Sequence, residues 1–131
     1  MAEHPNAETF KRGYAAFGQG DMDTLKEVFA PELVWHAPGN NSVSGDYKGI
    51  DDVLGFFGRI FQETNGTLKI DVHDILANDT HGVAITTFTG QRNGKSMDMR
   101  GVHVVHFNGD GKLTESWQFP EDTAEADRFW E

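Results

Sequence analysis

Residues 81–108 read HGVAITTFTGQRNGKSMDMRGVHVVHFN, and the Asn93-Gly94 pair inside them decides the fold. Asn and Gly tolerate positive φ at little cost, so an Asn-Gly pair between two runs of β-forming residues is a strong two-residue hairpin signal. The spacing predicts strands over 81–92 and 96–108. Turn chemistry at Asn78-Asp79 and at Asn108-Gly109-Asp110-Gly111 adds strands over 67–78 and 112–119. The C-terminal half therefore reads as an antiparallel meander of four strands.

Upstream the apolar period lengthens to that of a helix. Phe10, Tyr14 and Phe17 share a face after a cap at Asn6, and Gly18 to Gly20 end that helix. Asp21 caps a second helix carrying Met22, Leu25, Val28 and Phe29 on one face, stopped by Pro31. Leu33-Val34-Trp35-His36 is a short strand before Pro38, and residues 38–48, rich in Gly, Asn and Ser, form a loop. From Gly49, the positions Ile50, Val53, Leu54, Phe57, Ile60 and Phe61 make a broad apolar stripe on a third helix, which ends at Asn65-Gly66. Helices followed by a meander predict an α+β domain with the sheet packed on the helices.

The chain has 131 residues, enough for one domain with a core of its own, and no repeat or linker divides it, so residues 1–131 are read as a single domain. Without cysteine there is no disulfide framework and no thiolate ligand or nucleophile. Twenty-one acidic against eleven basic residues give a net charge of −10, which repels phosphate backbones and anionic headgroups. No nucleic-acid or membrane partner is expected. The opening MAEHPNAETFKRG has no apolar segment of the signal-peptide kind, and no run approaches the roughly 18 apolar residues of a membrane span, so a cytoplasmic location is expected.

Four segments carry a family resemblance: Gly20-Asp21 opening the second helix, FAPELVWHAPG at 29–39, SGDYKGIDDVLGFF at 44–57 and DGKLTESWQFPED at 110–122. With the element order, they make the chain resemble the nuclear transport factor 2-like superfamily, and within it the SnoaL-like group related to polyketide cyclases and ketosteroid isomerases. That resemblance implies a cone in which three N-terminal helices pack into a curved antiparallel sheet around an apolar pocket. It also implies a homodimer through the outer sheet face, where Val102 and Val104 are expected to point. Its enzymes place acid/base groups on the first strand and the last two, and two of these are missing here. Phe119 stands where limonene epoxide hydrolases keep the aspartate of Trp-x-Asp, and Ala37 stands where ketosteroid isomerases keep an aspartate before proline. His36 occupies the site of a water-holding asparagine.

Strand alternation puts Gly101, His103, Val105 and Phe107 on one face and Val102, Val104 and His106 on the other. Phe107 and Val105 turn the first set toward the helices, which places His103 in the cavity. On the last strand Leu113, Trp117 and Phe119 share a face, assigned to the cavity, so that His36, His103 and Trp117 converge there. His36, desolvated among aromatics, is read as a neutral general base with His103 assisting; the alternative is a core histidine satisfied by a carbonyl or side chain. Trp35, Tyr14, Phe57, Trp117 and Phe119 are the expected ligand walls. Tyr14 sits one residue off the isomerase tyrosine that donates to an oxyanion and is read as packing. No metal site is expected, because His103 and His106 face opposite ways, and no nucleotide cofactor, because Gly18-Gln19-Gly20 lies between helices. The function is read as holding a small, largely apolar cyclic or polyketide-like molecule, with an isomerase or cyclase reaction by proton transfer and a non-catalytic binding or assembly module both open.

Overall fold

The computed structural model describes residues 3–131. Helices α1 (Pro5–Gln19) and α2 (Met22–Val28) lead into strand β1 (Phe29–Ala37), and β2 (Gly45–Lys48) precedes helix α3 (Ile50–Glu63). The meander follows as β3 (Lys69–Ala77), β4 (His81–Arg92), β5 (Lys95–Phe107) and β6 (Leu113–Pro120), and helix α4 (Thr123–Phe129) ends the chain. The strands make one curved sheet in the order β2-β1-β6-β5-β4-β3. No helix among the described residues is long and apolar enough to cross a membrane.

The hairpin that decides the fold forms as its chemistry requires. Asn93 and Gly94 both take positive φ, 50° and 76°, and Arg92 pairs directly with Lys95. Asp21 caps α2, its carboxylate accepting from the Thr24 amide at 3.1 Å and from the Thr24 hydroxyl at 2.7 Å, and these bonds hold its carboxyl below the usual range. At α1 the cap is His4, whose ring accepts from the Asn6 amide, with Pro5 in the first turn. Asn6 is instead buried, and its side-chain amide donates to the carbonyls of Asn78 and Asp79 at 3.1 and 3.2 Å, pinning α1 to the β3–β4 turn.

Four details differ from expectation. The sheet is mixed, because β1 and β6 run parallel: the chain leaves β1 for β2 and α3 and enters the meander at the far edge, so its last strand returns beside the first. Phe29 and Pro31 belong to β1 rather than to the end of α2. Within the expected loop 38–48, Gly45–Lys48 pairs with Val34–Ala37 as an edge strand. A fourth helix, capped by Asp122 accepting from the Glu125 amide at 3.0 Å, follows the meander.

Helix α3 packs on β1 and β2, and α1 on β3 and β4. Phe10, Leu25, Leu33, Val53, Val105 and Leu113 are buried between them. The other face of the sheet carries an exposed row, Ile85, Val102 and Phe119, in cross-strand register on β4, β5 and β6.

Candidate functional site

Between α1, α3 and the inner face of the sheet lies a cavity of about 140 Å³. Phe10 and Tyr14 reach it from α1, Phe57 and Ile60 from α3, Trp35 from β1 and His103 from β5. The rings hold one another edge-on. Trp35 and Phe57 meet at 4.9 Å between centroids and 86°, and Phe17 meets Phe57 at 4.9 Å and 86°. Such contacts fix a cavity instead of letting it collapse. An apolar cavity of roughly 150 Å³ is enough to stay dry and accept benzene.

One end of the cone is covered by the chain's own C-terminal segment, from which Ala126 and Trp130 line the cavity. Phe129 packs against Met97 and Met99. The buried Arg92 anchors this strap: its Nε donates to Glu63 at 2.9 Å, and its Nη1 donates to the carbonyl of Phe129 at 3.2 Å and to that of Glu131. Lys95 Nζ donates to the carbonyl of Arg128 at 2.8 Å, and Ser42 Oγ to that of Trp130 at 2.5 Å.

Tyr14, His103 and Gln118 bring polar groups to the cavity where β5 meets β6, and Asn41, between β1 and β2, is a further polar residue of the lining. The Tyr14 hydroxyl lies 2.5 Å from His103 Nδ1, and His103 Nε2 lies 2.5 Å from Ser116 Oγ. Gln118, paired across the strands with His103, also lines the cavity. Burial pushes His103 down to about 3, so its ring is neutral at physiological pH. Burial also raises Tyr14 well above the ordinary phenol value, with the Gln118 side chain pulling the other way. No carboxylate is among the residues that line this cavity.

Of the residues singled out from sequence, Tyr14, Trp35, Phe57 and His103 meet in the cavity; His36, Trp117 and Phe119 do not. For Trp117 and Phe119 the cause is a β-bulge. Phe107 pairs with Leu113 but His106 pairs with Glu115, so Thr114 is an extra residue on β6. Leu113 points inward; beyond the bulge, Ser116, Gln118 and Pro120 take over the inner face, and Trp117 and Phe119 turn outward. A one-residue slip exchanges the faces of every following side chain. Phe119 is 54% exposed.

His36 is likewise on the outer face, opposite Trp117 in the β1–β6 register and stacked on its ring at 5.3 Å and 17°. Its Nδ1 lies 2.7 Å from Asp46 on β2, and its Nε2 lies 2.7 Å from Glu115 on β6. The Glu115 bond, helped by Asp46 and opposed by partial burial, raises its pKa. The expected neutral base in the cavity is therefore an imidazole biased toward its cation, tying three strands together outside. Ser116 and Gln118 are the site residues that sequence reasoning missed. No sequence signal marks the bulge, because Trp117 and Phe119 are more apolar than the residues that replace them.

A sheet curled over helices around a largely apolar cavity defines the cone-shaped α+β pocket folds. Within that class the chain belongs to the SnoaL-like domain family, whose model matches residues 10–116. It is 30% identical over 131 residues to an uncharacterized protein of Mycobacterium tuberculosis, with 99% of each chain covered. Bal32a, from a soil-derived mobile gene cassette, matches at TM-score 0.92 and 38% identity over 96% of each chain. A protein of unknown function with a cystatin-like fold from Xanthomonas campestris matches at TM-score 0.89 and 30% identity over 97% of this chain and 98% of that one.

Proposed function

We propose that this chain is a small-molecule binding protein that holds one ring-sized, largely apolar molecule inside the cone, with its polar group turned toward Tyr14, His103 and Gln118. The observation that carries this reading is an aromatic-walled cavity into which only a few polar side chains, among them Tyr14, His103 and Gln118, are brought. A ring that loses about 150 Å² of apolar surface to such walls gains about 4 kcal/mol, a millimolar dissociation constant before any hydrogen bond is counted.

The proton-transfer reading, an isomerase or cyclase, has less support. With His36 outside, the base falls to His103, and an imidazole whose conjugate acid sits at about 3 is far weaker than an ordinary histidine. Binding without catalysis is the reading favoured by this chemistry. The outer row of Ile85, Val102 and Phe119 supports a homodimer through that face, since monomers rarely leave a contiguous apolar strip to water.

Titration with toluene, followed by two-dimensional NMR, tests the pocket. Saturable shifts centred on Tyr14, Trp35, Phe57 and His103 are expected. Linear, non-saturating shifts, or shifts centred on Trp117 and Phe119, would overturn the reading.

A further inference from the structure

The walls that α1, α3 and the sheet give the cavity cannot part without breaking the core or a strand ladder. The C-terminal strap, which adds Ala126 and Trp130 to the lining, is joined differently. Its last backbone pairing with the sheet is at Glu121, whose amide donates to the carbonyl of Arg100 at 2.9 Å. Beyond that point, among the described residues, every hydrogen bond tying residues 122–131 to the rest of the chain uses a side chain. Such bonds open without disturbing the sheet. Helix α4 has seven residues, well short of the ~12–15 at which a helix begins to hold by itself, so it depends on its docking. Elements held this way are the ones that open locally at low cost.

The strap spans the end of the cone between two anchors. On one side Arg92 and Lys95, at the β4–β5 turn, hold the carbonyls of Phe129 and Arg128. On the other side the half-buried Asp127 clasps the connection between β1 and β2. Its Oδ1 accepts from the Asn40 amide at 2.9 Å and from Asn41 Nδ2 at 2.7 Å. Asn41 is oriented for this, because its own Oδ1 accepts from the Val43 amide at 2.9 Å. Ser42 then holds the carbonyl of Trp130. Gly39 lies at the point of closest approach: it takes φ +87°, and a methyl group on it would run into the Asp127 carboxylate.

Resting on the pocket reading, we infer that the strap is the gate of the cavity: it swings out beyond Glu121 to admit and release the ligand, and Asp127 is the latch that holds it shut. A gate and a fixed wall differ in kinetics. Weakening a latch raises the open fraction of the empty and the loaded protein alike, so entry and exit accelerate together and the dissociation constant stays where it was. A wall that loses a contact releases its ligand faster and admits it no faster, so the dissociation constant rises with the exit rate.

The test measures entry rate, exit rate and dissociation constant of 4-fluorotoluene by fluorine NMR line shapes and relaxation dispersion, for the wild-type protein and for Asp127→Ala. In the variant both rates are expected to rise about tenfold, the scale of hydrogen bonds to a charged acceptor, with the dissociation constant unchanged within about twofold. Gly39→Ala, which displaces the same carboxylate from the opposite side, serves if Asp127→Ala fails to fold. An entry rate unchanged in the folded variant, whether or not affinity falls, makes the strap a fixed wall; it overturns this inference and leaves the pocket standing. If 4-fluorotoluene shows no saturable binding to the wild type, the pocket reading fails and the inference falls with it.

Discussion

His103→Gln should flatten the acid side of the stability profile. The wild-type ring is 2% exposed and its pKa is depressed to about 3, against an ordinary value of 6.5. Above pH 6.5 neither the folded nor the unfolded chain protonates His103, and the group adds no pH dependence. Between pH 6.5 and about 3 the unfolded chain takes up a proton that the folded chain refuses, so stability falls as the pH falls, by about 1.4 kcal/mol per pH unit. At pH 4.5 the loss attributable to this residue is about 3 kcal/mol, a large share of the roughly 5–15 kcal/mol typical of a domain. Glutamine can still accept from Tyr14 and donate to Ser116, and it does not titrate. Urea unfolding of both proteins from pH 4 to pH 8, followed by tryptophan fluorescence, gives the difference curve, in which the carboxylates common to both cancel. The wild-type curve should drop below the variant's progressively under pH 6.5. Parallel curves across the range would show that His103 is reached by water or by a counter-charge, and would refute its burial.

His36 contributes with the opposite sign. Its pKa is raised, so its stabilisation is complete below pH 6.5 and fades as the pH rises through the folded-state value; His36→Ala should lose that decline while leaving toluene affinity unchanged, and weakened toluene binding would put the ring back in the cavity. Trp35→Ala truncates a buried ring that contacts Phe29, Phe57 and His103, and should cost about 3–5 kcal/mol in urea unfolding; an unchanged midpoint would contradict its burial. Phe119→Asp should convert a dimer to a monomer at tens of micromolar by sedimentation equilibrium, and a wild-type monomer at that concentration would remove the dimer altogether.

Periodicity carried most of the fold. Helix-spaced aromatics located α1 and α3, Asn93-Gly94 set the central hairpin, and alternation from Phe107 placed His103 on the inner face. What alternation could not carry was a change of phase. Thr114 inserts one residue, and a hydrophobicity pattern cannot reveal it, because the bulge turns Trp117 and Phe119 outward and brings Ser116 and Gln118 in. His36 was misplaced for a different reason: it follows Trp35 on β1, and successive strand residues face opposite ways, so with Trp35 in the cavity His36 meets Asp46 and Glu115 outside. The anchoring of the strap was illegible because α4 has seven residues and is held by Arg92 and Lys95, long-range contacts with no local signature. The polar end of the cavity is thus assembled from pairings that only the folded register supplies.

The most direct test is an anomalous difference map from crystals soaked with 4-bromophenol, a single ring whose bromine marks its position without ambiguity. The predicted bromine peak lies inside the cone, among Trp35, Phe57 and Ile60, with the hydroxyl directed at the Tyr14–His103–Gln118 end. A peak confined to the outer face beside Trp117, or a cavity that stays empty at saturating ligand, would contradict binding inside the cone.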